Sequence, residues 1–429
     1  MKKKYRIILY TSIFLLCVVA SIILVVKKSN SVYEEESKPK VVKHKSMLSM
    51  NLEQTAGAGD YKTVTQSGWP TEGYKFNTEL SRCENGSTLS WDDTKKAVIV
   101  SGNLSDKCYV YFDIYQPTLA EYIKSQYTGT QGENNIYYHD SDLANGAGDN
   151  SYRYAGANPN NFVCFGSDTS PCPTDNLYRI IGVFGENYHG VTGKQLVKLI
   201  KYDYMTTDEL GTDGDYSQTY KEWGMDSTYK GTYGDGERIG VYYWNYKATG
   251  SATNTWSTSL LNKTNLNTNF INNIGTTWAN KIATVTWKVG GNTYANISDV
   301  VPATTYQNEI VNPVTTNTTD NATTYSAKIG LMYVSDYGFA ASPDAWTLTM
   351  SSYNNTTAKN NNWMYMGLYE WTISRLADYS DSAFFVNYDG SVSDDGVSYS
   401  YGVRASFSLE SSVSYVSGSG SMSDPIVIN

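Results

Sequence analysis

Histidines come first, because a nucleophile–base pair or a zinc set would need them and the chain has only three. His44 falls in a polar stretch near the N-terminus, and His139 and His189 sit in neither a nucleophile elbow nor a zinc-binding helix. A surface hydrolase would have to use His139 or His189 beside a carboxylate in a cleft, and that stands as the alternative reading. Of five cysteines, Cys17 lies in an apolar run, which leaves Cys83, Cys108, Cys164 and Cys172. They form an even set of two locally close pairs without Cys-x-x-Cys spacing, so Cys83–Cys108 and Cys164–Cys172 are the economical disulfides. That pairing leaves no thiol for catalysis and calls for an oxidising compartment. Asp394-Asp395 and Glu34–Glu36 are neighbours in sequence, which says nothing about the spatial separation glycosidic chemistry requires. Asp213-Gly-Asp215 opens like a calcium loop, but Gly224 stands where the closing acid belongs. No cofactor and no metal are expected, Ca²⁺ at Asp213–Asp215 being the one exception weighed.

The distinctive stretch is Asp378–Arg404, written almost wholly in Tyr, Ser, Asp, Asn, Gly, Val and Phe. Binding surfaces use that alphabet, because Tyr offers large contact area at small entropic cost while Ser, Asn and Gly adapt. The plain alternative is a β-hairpin that carries tyrosine through strand propensity alone. Candidate ligand contacts are Tyr379, Phe385, Asn387, Tyr388, Tyr399 and Tyr401, with Trp363 and Tyr365 from the preceding loop.

These residues need a scaffold, and composition bounds it. The 429 residues carry 33 basic and 42 acidic side chains, a net of −9, which argues against nucleic acid as a partner. With 38 Tyr, 11 Phe and 10 Trp the chain is too aromatic to be disordered. Ile7 to Val26 is an apolar run of twenty residues, about 30 Å as a helix and enough to cross a bilayer. Cleavage near Ala20 is the alternative, but Ile22–Val26 continue the run past it, so an uncleaved anchor is expected. Setting aside the ten basic and three acidic residues of 1–45 leaves 23 against 39, a net of −16. A neutral glycan or a protein suits such an ectodomain. The expected organisation is a cytoplasmic tip and transmembrane anchor at 1–28, a stalk at 29–60 and a small disulfide-stapled all-β module at 61–115. A helix and connector at 116–150 and one α+β domain at 151–429 follow. Short strands bounded by Asp92-Asp93 and Gly102-Asn103 carry the β module. Near-helical spacing of Trp, Leu, Phe and Ile over 256–282 supplies the helices of the larger domain.

Several longer stretches resemble a family of uncharacterised surface proteins from Gram-positive bacteria. They are Asp149–Asn161, Asp175–Phe184, Ile329–Tyr337 and Tyr401-Gly-Val-Arg404, with Ser67-Gly-Trp-Pro70, Leu89–Asp93 and Asp106–Phe112 in the first module. The closing pattern, a Trp-containing strand, a Tyr/Ser/Asn tract and then Gly-Val-Arg, is similar to C-type-lectin-like domains of the formylglycine-generating-enzyme type. The resemblance implies that fold, with the tract as the ligand-facing surface, in some relatives diversified by retroelements. Ala405 departs from the usual Pro, and no cysteine corresponds to those of the enzyme branch, so the resemblance implies the scaffold without the catalysis. Arg404 is then a buried structural ion pinning the hairpin. The expected function is membrane-anchored, extracellular ligand binding or adhesion. A pilus-like structural subunit, self-associating through the N-terminal span, is a further alternative.

Overall fold

A computed structural model describes residues 48–429, except 66, 71–72, 104, 186–188, 190–191, 221–228, 234–237 and 314–321. The expected transmembrane segment, most of the expected stalk, His44, Glu34–Glu36 and Gly224 lie outside the described residues. The chain divides into two units between Tyr115 and Gln116.

In the first unit the strands are β1 (Leu48–Glu53), β2 (Tyr61–Val64), β3 (Tyr74–Phe76), β4 (Arg82–Cys83), β5 (Thr88–Asp92), β6 (Ala97–Ser101) and β7 (Cys108–Ile114). β7 shows why: Cys108, Val110 and Phe112 are buried while Tyr109 and Tyr111 are half-buried, the period-two pattern of a strand covered on one face. One sheet runs β2-β1-β7-β3 with β4 also on β7, and β5–β6 is a separate hairpin. β1 lies parallel to β7, Leu48 opposite Cys108 and Leu52 opposite Phe112. Around Phe112 the rings of Trp69, Phe76 and Trp91 lie at 5.5–5.9 Å. The Cys83–Cys108 disulfide staples this small core. The stalk expected over 29–60 is corrected for its last residues, since β1 belongs to the sheet. Its polar residues hid it: Asn51 donates to the Val110 carbonyl at 3.3 Å, and Glu53 accepts from the Ile114 N–H at 3.0 Å.

The second unit adds β8 (Ile136–His139), β9 (Ser151–Tyr154), β10 (Phe162–Cys164), β11 (Leu177–Phe184), β12 (Leu196–Lys201), β13 (Tyr216–Thr219), β14 (Gly240–Tyr243), β15 (Val285–Lys288) and β16 (Gly291–Asn292). β17 (Thr324–Ala327), β18 (Ile329–Gly330), β19 (Glu370–Leu376), β20 (Ser382–Val386), β21 (Val392–Gly396), β22 (Ser400–Gly402), β23 (Ser406–Ser408), β24 (Tyr415–Ser417) and β25 (Val427–Ile428) complete it. One seven-stranded sheet runs β18-β23-β12-β11-β9-β8 with β10 on β11, and another runs β13-β14-β22-β19-β20-β21 with β16 on β19. Every residue of β11 and β12 is buried, so these strands are covered on both faces and carry no alternation. The chain passes from one sheet to the other through Val403-Arg404-Ala405, between β22 and β23. The expected connector at 116–150 is part of this unit, since β8 pairs with β9 from Ile136–Tyr154 to His139–Ser151. Cys164–Cys172 is the second disulfide, paired as expected.

The expected α+β, C-type-lectin-like class is corrected: the described residues are mostly β-sheet with few helices. The ten-residue helix Leu261–Phe270 runs directly into Ile271–Ala279, and no helix among the described residues is long and apolar enough to cross a membrane. The helix-like spacing over 256–282 does give helix, but Gly275 at φ 76° breaks its regularity. The strand expected over Lys328–Val334 stops at Gly330, and Val334 opens a helix reaching Ala340.

Candidate functional site

β19 to β22 lie side by side in the second sheet in the order β22-β19-β20-β21, and the connections between them carry the Tyr-rich tract. Tyr379 lies in the β19–β20 turn, Tyr388 in the β20–β21 turn and Tyr399 in the β21–β22 turn. They are 64%, 39% and 58% exposed. The remaining aromatic candidates are inside. Trp363, Tyr365, Phe385 and Tyr401 are 2–7% exposed, which corrects their expected place on the surface. Both faces of β20 are covered, so Phe384 and Phe385 point opposite ways and each meets a core. Trp363 donates its indole N–H to the Tyr154 carbonyl at 2.8 Å and lies over the Arg179 guanidinium, 4.7 Å from the ring centroid. Asn387 is half-buried, its N–H donating to the Ser391 carbonyl at 2.8 Å. Its Oδ1 is a buried atom without a hydrogen-bond partner.

Inside and outside join through a row of rings. Tyr388 meets Tyr369 edge-on at 5.4 Å, and Tyr369 stacks on Tyr401 at 5.0 Å with planes 21° apart. Phe385 and Trp371 back Tyr401 at 4.9 and 4.6 Å. Tyr401 donates to Asp395 Oδ2 at 2.5 Å, and burial, then that carboxylate, hold its phenol far above the ordinary range and protonated. Tyr365 donates to the Tyr388 carbonyl at 2.6 Å, fixing the turn that carries the exposed ring. Tyr369, which belongs to this row, escapes the sequence reading because it precedes the compositional tract. Its one signal is its place two residues before Trp371 on the same strand approach.

The crossover residue pairs with Glu370, the chain neighbour of Tyr369. Arg404 Nε donates to Glu370 Oε1 at 2.8 Å and its terminal nitrogen to the Met364 carbonyl at 2.7 Å. Burial pushes the Glu370 carboxyl up, against the pull of Arg404.

The two described histidines have different surroundings. His139 is fully buried, accepts the Ala147 N–H on Nδ1 at 3.0 Å and packs on Phe339 and Trp346. Burial, then the charge of Arg153, holds it well below its ordinary value and neutral. That is a core residue. His189 Nε2 lies 2.8 Å from Asp149 Oδ2, and Asp149 also binds Arg153 at 2.7 Å. Burial would raise the Asp149 carboxyl, but Arg153 and His189 outweigh it and hold it well below its ordinary value. This dyad sets a histidine beside a carboxylate, the first half of what the hydrolase reading requires. The cavity beside it, bounded by Phe184, Lys198, Trp287, Tyr333 and Ser408, measures about 20 Å³, room for about one water and not for a substrate.

At the expected calcium loop, Asp213 accepts from Asn269 at 2.6 Å and Asp215 from the Leu261 N–H at 2.9 Å. These carboxylates hold the neighbouring helix. No cluster of three or more potential metal ligands occurs among the described residues. No protein family, curated protein or solved structure matches the chain.

Proposed function

We propose that this chain is a membrane-anchored, extracellular binding protein that engages a neutral glycan or a protein through the exposed tyrosines of its C-terminal tract. The carrying observation is the mounting of Tyr388: a ring 39% exposed, edge-on to Tyr369, with its backbone held by Tyr365. Exposed aromatic faces fixed on a rigid backing lose little freedom on binding and offer apolar area to sugar C–H groups or to a protein. Tyr379 and Tyr399 are exposed in the connections at the other end of β20, where Ser382 faces Gly396, and form a second aromatic site apart from Tyr388. The two disulfides suit an exterior location, and the apolar run Ile7–Val26 supplies the anchor.

The test is binding of the full chain to a glycan and protein array and to cells, against a Tyr388→Ala/Tyr399→Ala variant. Loss of binding with an unchanged melting temperature supports the reading. Undiminished binding by the variant refutes it.

A further inference from the structure

Lys198 stands within β12, where its side chain is 6% exposed and its Nζ touches Asp336 Oδ2. Three rings enclose the amine, Tyr333 at 4.5 Å, Trp287 at 5.2 Å and Phe184 at 6.0 Å. Asp336 is the third residue of the helix Val334–Ala340, and its Oδ2 also accepts the Tyr333 N–H at 3.1 Å, which fixes the carboxyl group. Its Oδ1 lies 3.9 Å from the Arg153 guanidinium, itself clamped by Asp149. A further buried carboxyl, Glu309, accepts the Val334 and Ser335 N–H groups at 2.9 and 3.0 Å at the same helix start.

An ammonium and a carboxylate sealed among aromatic rings lose their hydration, and their mutual attraction offsets that loss only in part. Burial pushes the Lys198 amine down, towards the neutral form that is a nucleophile. Covalent condensation would remove both charges at once. We propose that Lys198 and Asp336 join in an intramolecular isopeptide bond. The Nζ lone pair adds to Asp336 Cγ and one Cγ–O bond breaks. Of the three ammonium hydrogens, one stays on the new amide nitrogen and two leave on the departing oxygen as water. Atoms and charge balance without an oxidant or a cofactor. Arg153, beside Oδ1, is placed to stabilise the negative charge that builds on the carbonyl oxygen as Nζ adds. The cavity of about 20 Å³ that borders Lys198 accommodates the one water released. The bond would tie β12 to a helix 138 positions further along the chain.

Intact-mass measurement of the purified, denatured full chain tests this, followed by peptide mapping after trypsin. The expected mass lies below the sequence mass by the hydrogens of the two disulfides and by one water. Mapping should give a branched peptide joining the segment of Lys198 to that of Asp336. A Lys198→Met variant should keep the water. A wild-type chain that retains the full water, or one whose linked peptides join other residues, overturns the proposal, and this holds whether or not the variant folds.

Discussion

Replacing Arg404 by Met removes one partner of an ion pair whose side chains are 1% and 3% exposed. The change strands the Glu370 carboxyl and the Met364 carbonyl that Arg404 binds at 2.8 and 2.7 Å. Breaking a buried pair on one side costs about 3–5 kcal/mol. For a unit spanning Gln116–Asn429, unfolding entropy is on the order of 0.7 kcal/mol/K, so the melting temperature should fall by about 4–8 °C. Replacing both partners, Arg404→Met with Glu370→Leu, leaves no stranded charge and should recover most of that loss. Acidity gives an independent check. Burial already raises the Glu370 carboxyl above 4.5 with Arg404 opposing, so losing Arg404 raises it further. A carboxyl raised in the folded state contributes stability that is full below its unfolded pKa and lost as pH rises through the folded one. The deficit of the single variant should therefore shrink on acidification, read as thermal unfolding by circular dichroism at about pH 5 and about pH 7.5. A single variant within about 1 kcal/mol of the parent, or a double variant less stable than the single one, refutes the reasoning.

Deleting the first unit's cystine through Cys83→Ser/Cys108→Ser, which opens a loop of separation 25, should lower its stability by about 3.5 kcal/mol, seen as earlier melting of that unit alone. Tyr401→Phe, which deletes the donor to Asp395, should cost about 1 kcal/mol in chemical denaturation while keeping the ring stack. His139 and His189 are both held below 6.5, so the unfolded chain takes up protons first as pH falls through that value. Stability should then drop by up to about 1.4 kcal/mol per pH unit per histidine, and His139→Phe should flatten the profile; an unchanged slope in that variant counts against a neutral buried His139.

Much of the local structure is legible in the residues. Sequence proximity picks both disulfides, and Asp92-Asp93 marks the turn between β5 and β6. The tract's hairpins are legible for the same reason, since Asn387-Tyr-Asp-Gly390 is turn chemistry. Which tyrosines face solvent is not, because every residue of β22, which carries Tyr401, is buried, and a strand without a wet face shows no alternation. Tyr388 and Tyr401 are therefore indistinguishable by type, and only the second sits against Trp371 and Phe385. The polar strand β1 was hidden because its Asn51 and Glu53 are satisfied by distant backbone groups. The cluster of Lys198, Asp336 and Glu309 draws on segments far apart in the chain, and no local pattern announces it.

The parallel pairing of β1 with β7 has a mechanical consequence. A pull between the segment preceding Leu48 and the second unit enters at the start of β1 and leaves at the end of β7 near Ile114. Neighbouring parallel strands drawn from opposite ends slide along their shared ladder, and the bonds from Leu48–Cys108 to Leu52–Phe112 bear the load together instead of unzipping one by one. A pull applied across the two ends of the first module therefore loads the β1–β7 ladder in shear.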